Sequence, residues 1–319
     1  MTRVGVIGLG PMGLQHLRSF GAILGPAALV AAVRHADDRR RLATLPWPVT
    51  TVDLAAGARL DAVCDLAVVA VQTERHSAVA AGLDCALLIE KPLCQAPEQS
   101  LAVLGRPART FVAHSSRAEA GAFALHAAVA RGDVGLVRAV EVVWREPHLV
   151  RPGSGIPQQM GRLYDVGVHA AALVMELVPD LASATVTSTW RGGPAGGATL
   201  HSRATWPAGV AFALEVGPAE RGGRTVTVTG TDGVLRWHVA PGEVTLHLDR
   251  GGSTVALGAS GLPRQEALAH AVLAGLATGA PTPFDAAQGM RAMHWAGRWL
   301  AAVPAGEVEG AVFEWGWVR

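Results

Sequence analysis

The residues best suited to acid–base chemistry in this sequence are one lysine and a carboxylate–histidine pair. Of the 27 basic residues, 26 are arginine and Lys91 is the single lysine. A lysine ammonium is a compact, titratable donor that can stabilise a developing alkoxide. Asp165 and His169 are four residues apart, so on a helix they share one face and the carboxylate can orient the imidazole. These three are our catalytic candidates; the alternatives are a surface lysine, an N-cap aspartate and a buried structural histidine.

A glycine-rich turn near the start of the sequence has the spacing of a dinucleotide-binding fingerprint. It follows the apolar segment Val4 to Ile7 and opens a predicted helix, which is the setting that G-x-G-x-x-G requires. Its glycines permit the tight turn, the approach of a pyrophosphate and close packing of helix on strand, and the helix N-terminus favours phosphate. A purely structural turn is the alternative. The predicted phosphate site comprises Gly8, Leu9, Gly10, Pro11, Met12 and Gly13.

Arginine occupies the position where nucleotide-binding folds discriminate NAD from NADP. Arg34 follows the second predicted strand, where an NAD-specific enzyme usually carries an acid. Arg39 opens a run of three arginines shortly afterwards. Because a guanidinium binds a 2′-phosphate bidentately, we expect NADP as cofactor, with NAD as the alternative. A solvated arginine cluster in an arginine-biased chain is the other interpretation.

The first third of the chain alternates short apolar segments with alanine- and leucine-rich segments of helical spacing. The apolar segments lack polar alternation, as expected for a parallel sheet that helices cover on both faces. They are Val4 to Ile7, Leu29 to Val33, Leu66 to Val71, Ala86 to Ile89 and Thr110 to Ala113. Repeated β-α-β units predict an α/β fold with a doubly wound Rossmann domain over residues 1–115.

From about residue 116 the pattern changes to longer strands separated by turns. Seven of them, between residues 137 and 248, indicate an antiparallel meander with one covered and one open face. We therefore predict an α+β domain over 116–319 with a large, mainly antiparallel, open-faced sheet. The closing helices, 263–303, are candidates to pack back on the first domain. Trp190 and Trp206 on the open face would form a large apolar patch, so we expect a homodimer or homotetramer.

Three motifs, in this order, resemble those of the Gfo/Idh/MocA oxidoreductases, which include glucose–fructose oxidoreductase and inositol dehydrogenase. They are the Gly8 to Gly13 fingerprint, Glu90-Lys91-Pro92 at the end of a buried strand, and Asp165-x-Gly167-x-His169 at a helix start. The resemblance covers essentially the whole chain. It implies a Rossmann domain followed by an open-faced sheet domain. It also implies reversible hydride transfer between a nicotinamide and a carbinol carbon of a sugar, cyclitol or related molecule.

The resemblance implies roles for particular residues as well. Lys91, Asp165 and His169 match catalytic positions, with His169 as principal acid or base and Lys91 polarising the same oxygen, or the reverse. Since Lys91 belongs to the first predicted domain and the other two to the second, the three are expected to converge between them. Glu90 and Lys91 also match cofactor-lining positions. The loop after Val71 departs from the Thr-Pro of many members, and its cofactor candidates are Gln72, Thr73 and His76.

Weaker candidates for substrate contact flank these motifs. His114 and Arg117 follow the last strand of the first predicted domain, and His148 and Arg151 lie in the segment before Asp165. For each of them a structural or solvated role is the favoured interpretation, and contact with substrate is the alternative.

Composition disfavours several classes of function. The net charge is +1 without a long basic run, which gives no support for nucleic-acid binding. No apolar run approaches the roughly 18 residues of a membrane span. Cys64, Cys85 and Cys94 lack metal-ligand or C-x-x-C spacing. We therefore expect a small-molecule substrate, no metal site, reduced thiols and a cytoplasmic location.

Two functions from other classes are alternatives. A glycosidase that retains its dinucleotide would cleave a glycoside through transient oxidation and elimination. A non-catalytic NADP-binding sensor would bind the cofactor alone. The set of Lys91, Asp165 and His169 argues against the sensor, since a binding module does not need it. The sequence does not separate the dehydrogenase from the glycosidase.

Overall fold

The computed structural model describes residues 2–94, 97–106, 109–146, 161–191, 199–258 and 261–304. Within these ranges the structure does not describe the side chains of residues 97, 98, 101, 102, 161–165, 190, 191 and 218. The chain divides into two compact units, Met1–Ala118 with Leu262–Met290, and Glu119–Gly261 with Arg291–Arg319. The first unit therefore includes a segment from late in the sequence.

A parallel sheet forms the centre of the first unit. Its strands are β1 (Val4–Ile7), β2 (Leu29–Val33), β3 (Thr50–Asp53), β4 (Leu66–Val69), β5 (Ala86–Ile89) and β6 (Thr110–Val112). Their order is β3-β2-β1-β4-β5-β6, and every neighbouring pair is parallel. All residues of β2, β4 and β5 are buried. The strand order reverses between β1 and β4, and in such sheets ligands bind outside the carboxyl ends of the strands at this point.

Helices of ordinary length accompany the two sheets. They are α1 (Pro11–Leu24), α2 (Ala36–Leu42), α3 (His76–Ala81), α4 (Pro97–Leu104), α5 (Ala120–Ala130), α6 (Gly161–Val174), α7 (Arg264–Thr278) and α8 (Ala286–Ala301). Pro11 begins α1, where its missing N–H costs no helical hydrogen bond, and Gly25 ends it with a φ of +82°. In the described residues, no helix combines the length and the apolar character that crossing a membrane demands.

The late segment of the first unit is held by packing and by one arginine. On α7, Leu268 and Val272 are buried in the same core as Phe20 of α1. Arg109 donates to the Asp285 carboxylate at 2.9 Å, beyond the end of α7. The Val112 N–H also donates to the Phe284 carbonyl at 2.6 Å. Residues 262–290 are therefore structurally part of the first unit.

The second unit is built on a larger sheet. Its strands are β7 (Val137–Glu146), β8 (Thr185–Arg191), β9 (Thr199–Thr205), β10 (Ala211–Pro218), β11 (Gly223–Gly230), β12 (Gly233–Ala240), β13 (Glu243–Arg250) and β14 (Ser253–Leu257). The order is β14-β13-β12-β11-β7-β10-β9-β8. The β7–β10 pair is parallel, and the other neighbouring pairs are antiparallel.

One face of this sheet carries an aromatic core. Phe212 of β10 stacks on Trp299 of α8 with ring centroids 5.4 Å apart, and Trp295 packs edge-on against Trp299. The opposite face carries polar residues at alternate positions, and Glu141 and Arg203 are exposed there. The sheet therefore has one covered and one open face in this unit.

The predicted fold class is confirmed, with two corrections of detail. The second sheet is not a simple meander, because β7 lies between β10 and β11, so that its pairing with β10 is parallel. Trp206 does not belong to an exposed patch. It is 4% exposed, packs against Trp295 and donates its indole N–H to the Asp180 carbonyl at 2.8 Å. The side chain of Trp190 lies outside the description.

Candidate active site

The glycine-rich turn is sterically tight at its first and last glycines. Gly8 has a φ of +93°, and a Cβ there would lie 2.5 Å from backbone atoms of Ala70 and Val71. A Cβ on Gly13 would lie 1.9 Å from the Gly8 carbonyl oxygen. Both positions therefore require glycine. At Gly8 the positive φ and the backbone contact exclude a side chain, and at Gly13 the backbone contact does so.

The middle glycine has the opposite environment. A Cβ on Gly10 would meet no protein atom within 4 Å, so the space beside this residue lies outside the protein. Gly10 is the N-cap residue of α1 and has no side chain to cap the helix, and the first turn holds no acidic residue. The first turn thus presents backbone N–H groups and the positive end of the helix dipole to open space. This cradle fits the pyrophosphate of a dinucleotide.

The arginines after β2 differ in their contacts. The Arg34 side chain is exposed and pairs with no carboxylate in the described part of the chain. Its backbone N–H donates to Asp38 at 2.8 Å, so Asp38 holds the turn that presents it. Arg39, also predicted to bind the cofactor, pairs with Asp53 of β3 at 3.1 Å. Of these two arginines, Arg34 is therefore the one without a carboxylate partner among the described residues.

Arg41 makes a contact with the glycine-rich turn that the sequence did not indicate. Its guanidinium donates to the Leu9 carbonyl in the glycine-rich turn at 3.3 Å and pairs with Asp37 at 2.8 Å. Asp37 also accepts from Arg40, and these arginines hold the pKa of its carboxyl below the usual value. Arg41 thus ties α2 to the phosphate turn.

Lys91 lies at the carboxyl end of β5, immediately after a buried carboxylate. Glu90 is 7% exposed and Lys91 is half-buried. One Glu90 oxygen contacts His16 Nε2 at 2.7 Å, and the other accepts the Lys91 backbone N–H at 3.1 Å. Burial favours a raised pKa for Glu90, but the His16 hydrogen bond and the Lys91 charge outweigh it, so the pKa is lowered. Glu90 is therefore a carboxylate at neutral pH.

Two more histidines surround this strand end. His76 is buried, with Nδ1 2.9 Å from the Pro92 carbonyl oxygen and Nε2 3.1 Å from that of Val71. Burial lowers the pKa of His76, so its neutral ring donates to one of the two carbonyls at a time. His114 is fully buried, and burial with the nearby Lys91 charge lowers its pKa to about 3. Both rings are therefore neutral beside Lys91 at pH 7.

The remaining predicted residues of the first unit differ in accessibility. Gln72 is exposed and Thr73 is half-buried at the start of the short helical turn Thr73–Arg75. Arg117 is only 5% exposed in the turn Ser115–Ala118. Leu9 is also buried, whereas Pro11 is exposed and Met12 is half-buried. Gln72, Thr73, Pro11 and Met12 are thus accessible to a ligand from solvent.

In the second unit, α6 carries the predicted Asp165 and His169 one helical turn apart. The Asp165 side chain lies outside the description, as do residues 147–160, which include His148 and Arg151. The His169 ring stacks on Trp144 of β7, with centroids 6.1 Å apart and planes inclined by 19°. The Arg224 guanidinium lies 4.9 Å from the Trp144 ring and pairs with Glu119. Trp144 thus supports the imidazole, a contact that sequence spacing did not predict.

Comparison with known proteins identifies a fold. No family model matches the sequence, and no curated protein matches it. The solved UDP-N-acetylglucosamine 3-dehydrogenase of Acidithiobacillus ferrooxidans superposes with a TM-score of 0.77 at 22% identity, covering 95% of this chain and 97% of that one. An oxidoreductase from Agrobacterium radiobacter in complex with NAD⁺, L-tartaric acid and magnesium gives 0.78 at 17% identity, with 96% and 97% covered. Levoglucosan dehydrogenase with NADH and levoglucosan gives 0.76 at 19% identity, with 96% and 98% covered. These likenesses establish the shared fold.

Proposed function

We propose that this chain is an NADP(H)-dependent oxidoreductase of the Gfo/Idh/MocA type, acting between a carbinol and a carbonyl carbon of a sugar, keto-sugar or cyclitol-like substrate. One observation carries the proposal. The single lysine of the chain, Lys91, follows β5 at the carboxyl edge of a parallel sheet whose β1 edge bears the Gly8 to Gly13 cradle. A dinucleotide cradle and a titratable ammonium at the same sheet edge suit alcohol oxidation or carbonyl reduction.

The structural neighbours support the substrate class. Two of them are named as dehydrogenases of carbohydrates, UDP-N-acetylglucosamine and levoglucosan, and the third holds the hydroxy acid L-tartaric acid. All three of these compounds carry secondary hydroxyl groups. We therefore expect a polyhydroxylated substrate rather than a simple aliphatic alcohol.

The preference for NADP rests on Arg34. Two neighbours are described with NAD⁺ or NADH, so the fold itself does not favour NADP. Among the described residues, no carboxylate pairs with the Arg34 guanidinium that follows β2, and the nearby Asp38 accepts the backbone N–H groups of Arg34 and His35. A 2′-phosphate suits that guanidinium better than a ribose hydroxyl does.

We assign chemical roles to three residues. When bound, the nicotinamide supplies or accepts the hydride. Lys91 donates a hydrogen bond to the substrate oxygen and stabilises the negative charge that develops on it. His169, oriented by Asp165, takes the hydroxyl proton in the oxidation and returns it in the reduction. Lys91 and His169 are able to exchange these roles.

We also propose that the protein is a cytoplasmic homo-oligomer that associates through the open face of the second sheet. Glu141 and Arg203 give this face both charge signs, which suits a two-fold contact between identical surfaces. Cys64, Cys85 and Cys94 all lie in the described part of the chain and form no disulfide, which suits a reducing compartment.

A substrate screen tests the function. Sugars, keto-sugars, nucleotide sugars and cyclitols are incubated with NADP(H) or NAD(H) while the absorbance of the reduced nicotinamide is followed. We expect stoichiometric change in absorbance with at least one polyhydroxylated compound. Release of free sugar from a glycoside without net change in the cofactor would instead identify the dinucleotide-retaining glycosidase. Tight cofactor binding without turnover of any class would favour the sensor.

A further inference from the structure

A buried hydrogen bond joins the phosphate-binding helix to the strand end that presents Lys91. His16 lies on α1, three residues after Gly13, and its Nε2 is 2.7 Å from Glu90 Oε1. The two residues are 74 positions apart in sequence. Their exposures are 0% and 7%, so neither side chain is available to solvent.

Glu90 transmits this contact to Lys91. Its second carboxylate oxygen accepts the backbone N–H of Lys91 at 3.1 Å. The Glu90 N–H donates in turn to the Val69 carbonyl of β4 at 2.9 Å. The carboxylate is therefore held by α1 through one oxygen, and through the other it holds the backbone N–H of Lys91, the second residue after β5.

His16 is the donor in its contact with Glu90. A carboxylate can only accept, so the hydrogen atom of this contact lies on His16 Nε2. Its Nδ1 is buried and has no hydrogen-bond partner in the described part of the chain. Among the described residues, the Glu90 carboxylate is therefore the one hydrogen-bond partner of the His16 ring.

This arrangement is costly as a purely structural device. A carboxylate taken out of water loses its solvation, and a well-packed apolar pair of similar volume is often at least as stable. The contact does have a geometric consequence, since it fixes the peptide that carries Lys91. Its position next to the single lysine suggests a role in catalysis rather than in folding alone.

We infer that His16 is a positioning residue, whose hydrogen bond to Glu90 holds the backbone of Lys91 in the orientation that the reaction requires. The inference rests on the proposed function, in which Lys91 touches the substrate oxygen. Helix α1 then has two tasks: its first turn binds phosphate, and its second turn fixes Lys91. Loss of His16 lowers turnover and leaves cofactor affinity nearly unchanged.

The single lysine allows a direct test that does not depend on activity. Protein produced with ¹⁵N-lysine gives one lysine backbone amide resonance, and it belongs to the Lys91 N–H that donates to Glu90. In His16→Leu we expect this resonance to shift or broaden and its hydrogen exchange to accelerate. Ser19→Ala is the matched control, because Ser19 is equally buried on the same helix. An unchanged Lys91 amide in folded His16→Leu would overturn the inference.

A second pair of variants tests the inference even if His16→Leu does not fold. His16→Gln keeps an N–H donor and is expected to restore the Lys91 amide towards its parental position. Glu90→Gln keeps the shape but removes the negative charge, and is expected to move the resonance as His16→Leu does. If the Lys91 amide resonance of Glu90→Gln kept its parental position, Glu90 would not connect His16 to the Lys91 backbone, and the inference would be wrong.

Kinetics then separates positioning from cofactor binding. With an identified substrate, we expect kcat of His16→Leu to fall by about 10- to 100-fold, as small misplacements of a reacting group do. The dissociation constant of NADP(H) should stay close to that of the parent, and His16→Gln should recover part of kcat. Weakened cofactor binding at parental kcat would refute the positioning role. A parent without turnover would defeat the proposed function, whereas the amide measurement would still decide whether His16 fixes Lys91.

Discussion

Gly13 faces Gly8 so closely that a Cβ atom on Gly13 would lie 1.9 Å from the Gly8 carbonyl oxygen. Gly10, between them, has no protein atom within 4 Å of the corresponding position. The same motif thus contains glycines needed for two different reasons. Gly13 allows the helix to pack on the turn, and Gly10 leaves space for a ligand.

Substitution separates these two roles. Gly10→Val should fold and lose less stability than Gly13→Ala, since valine is a poorer N-cap residue than glycine but meets no protein atom there. It should bind NADP(H) at least about tenfold more weakly, a loss of about 1.4 kcal/mol, because its side chain fills the approach of the pyrophosphate. Gly13→Ala should lose about 1–3 kcal/mol of stability or more from overpacking. Thermal unfolding and cofactor titration measure both effects. Parental affinity in Gly10→Val would exclude the cradle as the phosphate site.

Cofactor preference provides the next prediction. NADP(H) should bind at least several-fold more tightly than NAD(H), since the Arg34 guanidinium pairs with no carboxylate in the described residues. Arg34→Asp should narrow or reverse this preference. Arg40→Asp is the control on the same surface, because Arg40 already pairs with Asp37. Tighter binding of NAD(H) by the parent protein would refute the assignment.

The sequence predicted the first sheet well because its central strands are buried on both faces, which gives continuous apolar segments. The predicted bounds of β2, 29–33, agree with the structure, where every residue of the strand is buried. The edge strand β3 was missed, since Thr50 and Thr51 are exposed and the strand lacks an apolar run. The strands β7 and β10 were found, but their parallel pairing was not. Alternation specifies the face on which a side chain lies, not the strand that becomes its neighbour.

The site was predictable where it depends on local spacing. Gly8, Gly10 and Gly13 follow from a short motif, and Lys91 from its rarity and its place after a buried strand. The His16–Glu90 contact joins residues 74 positions apart, and nothing in the local sequence of either one specifies the partner. The stack of His169 on Trp144 likewise depends on the packing of α6 against β7.

Assembly through the open sheet face is testable by charge insertion. Val143 is 37% exposed on that face, in register with Glu215 of β10 and Thr225 of β11. Val143→Glu should convert a dimer or tetramer into monomers, because its carboxylate would lie opposite that of Glu215 and a buried pair of like charges opposes association. Leu136→Glu is the control, since Leu136 is 69% exposed and precedes β7. Light scattering that gives 33.0 kDa for the parent at micromolar concentration would exclude this assembly.

We predict that the folded protein loses stability in acid because His114 is buried. Its pKa is about 3 in the folded protein against 6.5 for an unperturbed histidine. The unfolded chain therefore takes up the proton first, and stability falls as the pH drops from 6.5 towards 3. Between pH 8 and pH 5 this contribution amounts to about 2 kcal/mol.

Urea unfolding at these two pH values measures the effect. His114→Gln should reduce the difference between them by about 2 kcal/mol, since glutamine does not titrate. His270→Gln is the control, because His270 is exposed on α7 and its substitution should leave the difference as in the parent. If His114→Gln lost as much stability between pH 8 and pH 5 as the parent does, another group would be responsible for the effect.

The last prediction concerns the proposed chemistry of Lys91 and His169. Removal of an acid–base group usually lowers the rate by about 10² to 10⁴, so His169→Ala should lose turnover on an identified substrate while cofactor affinity changes little. Lys91→Arg is the sharper change, because it keeps the positive charge but replaces a compact titratable ammonium with a wide, permanently charged group. Arg131→Lys, at an exposed ion pair with Asp133, provides the reverse exchange outside the site and should leave turnover unchanged. If Lys91→Arg and His169→Ala both kept near-parental kcat, the proposed site would be wrong. If only Lys91→Arg kept it, His169 alone would exchange the proton and any positive charge at residue 91 would suffice to polarise the oxygen.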